Sequence, residues 1–102
     1  MLNDTELLAR LKTHLPDIAG DAEDALLAQL LQDAAAVIRA LTWLDAVPEA
    51  LQSAQVRLSV VLYSRVGIEG ERRHTEGEVS RDIEGLPDML RREILAYRVA
   101  KT

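Results

Sequence analysis

Apolar residues recur at three- and four-residue intervals along most of this chain, and the recurrence breaks off over Glu69–Gly85 (EGERRHTEGEVSRDIEG). Each periodic stretch predicts an amphipathic helix. Leu7, Leu8, Leu11 and Leu15 predict a short first helix from about Asp4 to His14, with Asp4 or Thr5 as its cap. Leu15-Pro16-Asp17 stops it, because the residue before a proline is pushed out of the α region, and Gly20 completes the turn. A second helix is expected from about Ala22 to Leu41. Its face is Leu27, Leu30, Leu31, Ala34, Ile38 and Leu41, widened by Leu26 and Val37, and Ala34-Ala35-Ala36 would let a neighbouring helix approach closely. Asp21 can accept from the first-turn N–H groups, while Glu23 and Asp24 place negative charge at the positive end of the helix dipole.

The third helix is expected from about Pro48 to Val66, with Gly67 as its stop. Leu51, Ala54, Leu58, Val61, Leu62 and Arg65 share one face, while Val56, Val60 and Tyr63 lie on others. A helix apolar on several sides is buried on several sides, so it is either central or engaged in a second, intermolecular contact. The fourth helix is expected from about Pro87 to Ala100, with Leu90, Ile94 and Tyr97 as its stripe. All three prolines precede an acid (Pro16-Asp17, Pro48-Glu49, Pro87-Asp88), and proline at the first helical position followed by a carboxylate is a helix-start signal. The expectation is an all-α fold: a small four-helix domain, residues 1–102, with a long extended loop at 69–85 carrying a candidate short strand between the last two helices.

That loop is the costly part. Ordering seventeen residues costs about 17–34 kcal/mol of backbone entropy, while full burial of Val79 and Ile83 returns about 3–6 kcal/mol. The segment is therefore expected to be mobile in the lone subunit and to be ordered by something else. From Glu78 to Glu84 its residues alternate: Val79, Arg81 and Ile83 would share one face of an extended strand, and Glu78, Ser80, Asp82 and Glu84 the other. A lone strand becomes stable by pairing with another edge, such as the same segment of a neighbouring subunit.

Composition narrows the function. The net charge of −5 argues against general nucleic-acid binding. There is no Phe, and aromatics are 3% of the chain, so Leu, Ala, Val and Ile do the packing. The absence of Cys excludes disulfides and thiolate metal sites and fits a reducing compartment. No uninterrupted apolar run approaches the ~18 residues of a membrane span, and the acidic, amphipathic start MLNDTELLARL is unlike a secretory signal.

Catalytic chemistry finds no constellation. His14 and His74 lack metal-ligand spacing, and read as exposed helix-end and loop residues. Gly67, Gly70, Gly77 and Gly85 form no phosphate-binding loop, and Ser53, Ser59, Ser64 and Ser80 have no nucleophile context. The loop acids Glu69, Glu71, Glu76, Glu78, Asp82 and Glu84 follow no calcium-loop spacing. Against Arg72, Arg73 and Arg81 they leave the loop at −3, a solvated acidic segment. No enzyme activity, cofactor or metal is expected. Trp43 reads as corner packing between helices two and three, with an interface anchor as the alternative. Arg91, Arg92, Arg98 and Lys101 give either a solvated face or a docking surface for an acidic protein.

Several segments together carry a family resemblance. Val47-Pro48-Glu49-Ala50-Leu51 opens a long helix ending in Leu62-Tyr63-Ser64-Arg65-Val66-Gly67-Ile68-Glu69-Gly70. Glu76-Gly77-Glu78-Val79-Ser80-Arg81, Gly85-Leu86-Pro87-Asp88 and a closing Tyr97-Arg98 follow. In this order the chain resembles, over nearly its whole length, the head–tail connector (adaptor) proteins of tailed bacteriophages and prophages. The resemblance implies a structural subunit of a ring, usually a dodecamer in the virion, that docks beneath the portal and joins the DNA-filled head to the tail or a stopper (tail-completion) protein. It implies assembly in the bacterial host cytoplasm and a final place at the head–tail interface of the virion; from the chain's apolar runs, no membrane partner is expected. By the same resemblance the loop residues Glu76, Glu78, Val79, Ser80, Arg81, Asp82, Ile83 and Glu84 belong to subunit contacts, and Arg91, Arg92, Arg98 and Lys101 to portal docking. An acidic loop facing the channel would repel phosphates, so DNA would pass without specific binding. The competing reading is a small helical regulatory module that binds a protein partner or DNA through its basic C-terminal helix.

Overall fold

Alternating turns of Leu and Ala with polar residues give four α-helices and one 3-10 turn in a computed structural model, which describes residues 2–15, 23–68 and 85–98. In chain order they are α1 (Asp4–Thr13), α2 (Asp24–Thr42), the 3-10 turn Glu49–Leu51 running directly into α3 (Gln52–Ile68), and α4 (Asp88–Leu95). No strand occurs among the described residues, and the fold is all-α. The 69–84 part of the expected loop, with its candidate strand, lies outside the described residues.

α1 is capped by neither Asp4 nor Thr5. The Asn3 side chain accepts from the Glu6 N–H at 2.8 Å, and the Glu6 carboxylate accepts from the Asn3 N–H at 2.9 Å. This reciprocal capping box satisfies two first-turn donors at once, which a cap one residue later could not do with Glu6. α2 is first seen helical at Asp24, and Asp21 lies outside the described residues. Lys12, at the end of α1, bridges to Asp24, at the start of α2, at 2.6 Å.

α3 departs from expectation at both ends. Pro48 is extended (φ −70°, ψ 155°) and precedes the 3-10 turn instead of occupying the first helical position, and Pro87 likewise sits just outside α4, leaving Asp88 as its first residue. Proline's missing N–H is harmless at either position, so the start signal holds while its register moves by one. At the other end Gly67 does not stop the helix, which continues through Ile68. A glycine ends a helix only where the chain turns left-handed there; within a helix it is merely less favourable.

The core contains Leu7 and Leu11 of α1; Leu27, Leu30, Ala34, Val37 and Ile38 of α2; Leu51, Ala54, Val56, Leu58 and Leu62 around α3; and Leu86, Leu90 and Ile94 at α4. Val60, Val61 and Tyr63 are half-buried against it. Of the two explanations for a helix apolar on several sides, the fold supplies the central one: α3 packs against α1, α2 and α4. α2 is, by length and composition, apolar enough to cross a membrane, although no uninterrupted run suggested it. Part of that apolar surface packs into this bundle, where Leu27, Leu30, Val37 and Ile38 are fully buried, and part of it, including Ala25, Ala28 and Ala40, is exposed.

Polar side chains buried on α3 are all bonded. Gln52 donates to the Leu2 carbonyl and accepts from the Leu2 N–H, both at 3.0 Å, tying the chain's start to α3. Gln55 donates to the Leu31 carbonyl of α2 at 2.9 Å. The Ser59 hydroxyl lies 2.9 Å from the Gln55 carbonyl and 3.4 Å from that of Leu30. Burial of such groups is tolerable only with these partners.

Candidate functional site

The described docking candidates lie on and just beyond α4. Leu86, Leu90 and Ile94 turn its apolar side inward, leaving Asp88, Met89, Arg91 and Arg92 exposed, Met89 at 83%. The helix ends at Leu95, with the N–H groups of Ala96, Tyr97 and Arg98 closing back onto Arg92, Ile94 and Leu95. Tyr97 is therefore past the helix and 44% exposed, not the last position of a buried stripe. Arg91 and Arg92 stand on the helix in solvent. Arg98 lies past the end of the helix. Lys101 and the loop candidates Glu76, Glu78, Val79, Ser80, Arg81, Asp82, Ile83 and Glu84 lie outside the described residues.

Arg98 is placed by Trp43. Its guanidinium carbon lies over the indole, 3.7 Å from the ring centroid, a cation–π contact. Trp43 closes α2 in the left-handed conformation (φ 64°, ψ 22°), donating its N–H to the Arg39 carbonyl at 2.8 Å. Among the described residues it is the one non-glycine with positive φ, a geometry costing an L-residue about 1–2 kcal/mol. Trp43 is 40% exposed at the corner between α2 and α3, a half-open platform on which Arg98 rests.

Three further contacts brace α4 and the end of α3. Arg57 reaches Glu93 at 2.6 Å, and this hydrogen bond, helped by the Arg57 charge, holds the Glu93 carboxyl below the usual carboxylate range against the opposing effect of burial. Tyr63 donates to Glu23 at 2.7 Å. That bond, with burial and the nearby negative charge, pushes the phenol above its ordinary value. Arg65 donates to the Gly85 carbonyl, and a side chain at Gly85 would meet that guanidinium. An arginine on an otherwise apolar stripe was the one sequence signal for this contact. The α1–α2 side offers a shallow groove of about 310 Å³ lined by Asp4, Leu7, Leu8, Ala28 and Leu31 among others, with no titratable cluster. Among the described residues no group of three His, Asp or Glu could hold a metal ion. His14 is exposed at the end of α1.

These features are a helical scaffold with a cationic, aromatic edge and no reaction centre among the described residues. Compared with known families, the chain matches the phage gp6-like head-tail connector protein model over residues 5–98. It belongs to that family. No curated protein and no solved structure matches it. In this connector Tyr63 and Arg65 tie the end of α3 to the start of α2 and to Gly85, and Leu86 buries the step into α4. The family is structural, so this connector serves the joint between phage head and tail and is not expected to catalyse a reaction.

Proposed function

We propose that this chain is one subunit of a ring beneath the portal of a tailed phage or prophage, joining the DNA-filled head to the tail or a stopper protein. The family match over residues 5–98 carries the reading. The several apolar sides of α3 add little to it, because α1, α2 and α4 pack against them and leave, among its described apolar residues, only Val60, Val61 and Tyr63 half-buried. Self-association instead falls to the acidic segment Glu76–Glu84, whose apolar residues are too few to order it alone. The subunits meet head to tail, an arrangement that closes into a ring. The portal is met by Arg91, Arg92, Arg98 and Lys101, the first two of which stand free in solvent on α4. DNA passes through the channel without specific binding, in keeping with a chain of net charge −5. Subunits gather in the host cytoplasm and finish at the head–tail interface of the virion.

Electron microscopy of the protein mixed with its portal tests this. A ring coaxial with the portal is expected. Portal particles that stay bare at saturating connector would sink the reading.

A further inference from the structure

We infer that Trp43, Arg98 and Tyr97 form a ready-made contact surface for a carboxylate on a protein partner, and that this corner, more than the arginines of α4, anchors docking. The inference rests on the portal reading for the partner's identity. Its chemistry rests on the corner itself.

Trp43 occupies a left-handed position where glycine is the least strained choice, yet its ring stays 40% exposed. Strain of this kind points to a use for the side chain that the fold alone does not explain. That use is visible. The indole carries the Arg98 guanidinium 3.7 Å from its centroid, and among the described residues no carboxylate pairs with Arg98. A guanidinium stacked by one face keeps its in-plane N–H donors for a bidentate carboxylate. Stacking also removes side-chain freedom before the partner arrives, which lowers the cost of binding. Tyr97 adds an exposed ring and hydroxyl beside it in sequence. Trp, Tyr and Arg are the residue types that dominate interface energetics. Arg91 and Arg92, solvated on α4, have no such support and act as rim charges.

A carboxylate fits better than a nucleic-acid phosphate backbone. Duplex binding draws on many cations together, whereas this surface orders a single one in a chain of net charge −5.

The test is the affinity of the full chain for its immobilised portal, measured by surface plasmon resonance so that every variant is read in the same way. Arg98→Lys keeps the charge and removes the planar fork. Trp43→Gly removes the platform while suiting the left-handed backbone. Each is expected to weaken binding at least about tenfold, with helix content unchanged by circular dichroism. Arg91→Ala and Arg92→Ala should each weaken it about two- to threefold. Wild-type capture with Arg98→Lys and Trp43→Gly indistinguishable from it would overturn the corner and leave the portal reading standing. Absence of wild-type capture overturns both. Retention of the wild-type chain on duplex DNA at physiological salt, lost in Arg98→Lys, would overturn the choice of a carboxylate.

Discussion

α2 and α3 meet through side chains that water does not reach: Leu27, Leu30 and Ile38 on one helix, Leu58 on the other, and the Gln55 and Ser59 bonds to α2 carbonyls. α4 is attached differently. It is eight residues long and buries Leu90 and Ile94, with Leu86 just ahead of it. Its other ties are polar contacts at the rim: Arg57 to Glu93, Arg65 to Gly85, and the Arg98–Trp43 stack that follows it. Buried contacts of the first kind set global stability, whereas short elements with few buried residues open first. The α2–α3 seam therefore carries the shape, and α4 is the element expected to open first.

The largest expected effects fall in the core. Leu58→Ala should lower unfolding free energy by about 2–5 kcal/mol, read by guanidinium titration, with exchange protection reduced throughout. Ile94→Ala should lose protection mainly over 86–98, with a smaller shift of the global midpoint. Equal midpoints, together with uniform loss of protection in both variants, would erase the distinction between the two regions.

Next in size is Gln55→Ala, which removes the buried bond to the Leu31 carbonyl. A loss of about 1–2 kcal/mol is expected by urea titration, and a neutral result would mean that the α2–α3 seam is held by apolar packing alone.

Tyr63→Phe should cost about 1 kcal/mol by removing the bond to Glu23. The wild-type bond also has a pH signature. The phenol is raised in the folded state, so its contribution is complete below the ordinary value near 10 and fades as pH rises through the folded value. Tyr63→Phe should flatten that alkaline decline in a melting-temperature series, and an unchanged decline would place its origin elsewhere.

The smallest effect belongs to the rim. Glu93 is lowered by Arg57, so its stabilisation is present above the ordinary value of 4.5 and is lost as pH falls through the folded value. Both side chains are more than a third exposed (42% and 35%), which limits the pair to about 1 kcal/mol or less. Glu93→Gln should therefore shift acid stability slightly and in α4 alone, as read by exchange over 88–95. A loss rivalling Leu58→Ala would show that α4 is part of the core.

The helices themselves were legible because period and punctuation are local properties. Leu27, Leu30, Leu31, Ala34 and Ile38 all proved buried, as their spacing required. Boundaries were less legible. The cap of α1 fell on Asn3 instead of Asp4 or Thr5, and the last helix stopped at Leu95, short of the expected end near Ala100. The candidate site was legible only in part. Arg91, Arg92 and Arg98 read as one basic group, but in the structure Arg98 lies beyond the helix and stacks on an indole far away in sequence.

The sequence by itself determined an all-α chain, its inward-facing residues and its kinship with phage connectors, since periodicity, helix-start signals and short motifs are written along one dimension. Only the tertiary structure decided what the polar and aromatic residues do. Gln52 finds its partner 50 residues away and Gln55 finds its own 24 away, and a strained Trp43 receives Arg98. Such pairings depend on where packed helices bring distant positions together, and the spacing of residues along a chain does not contain that distance.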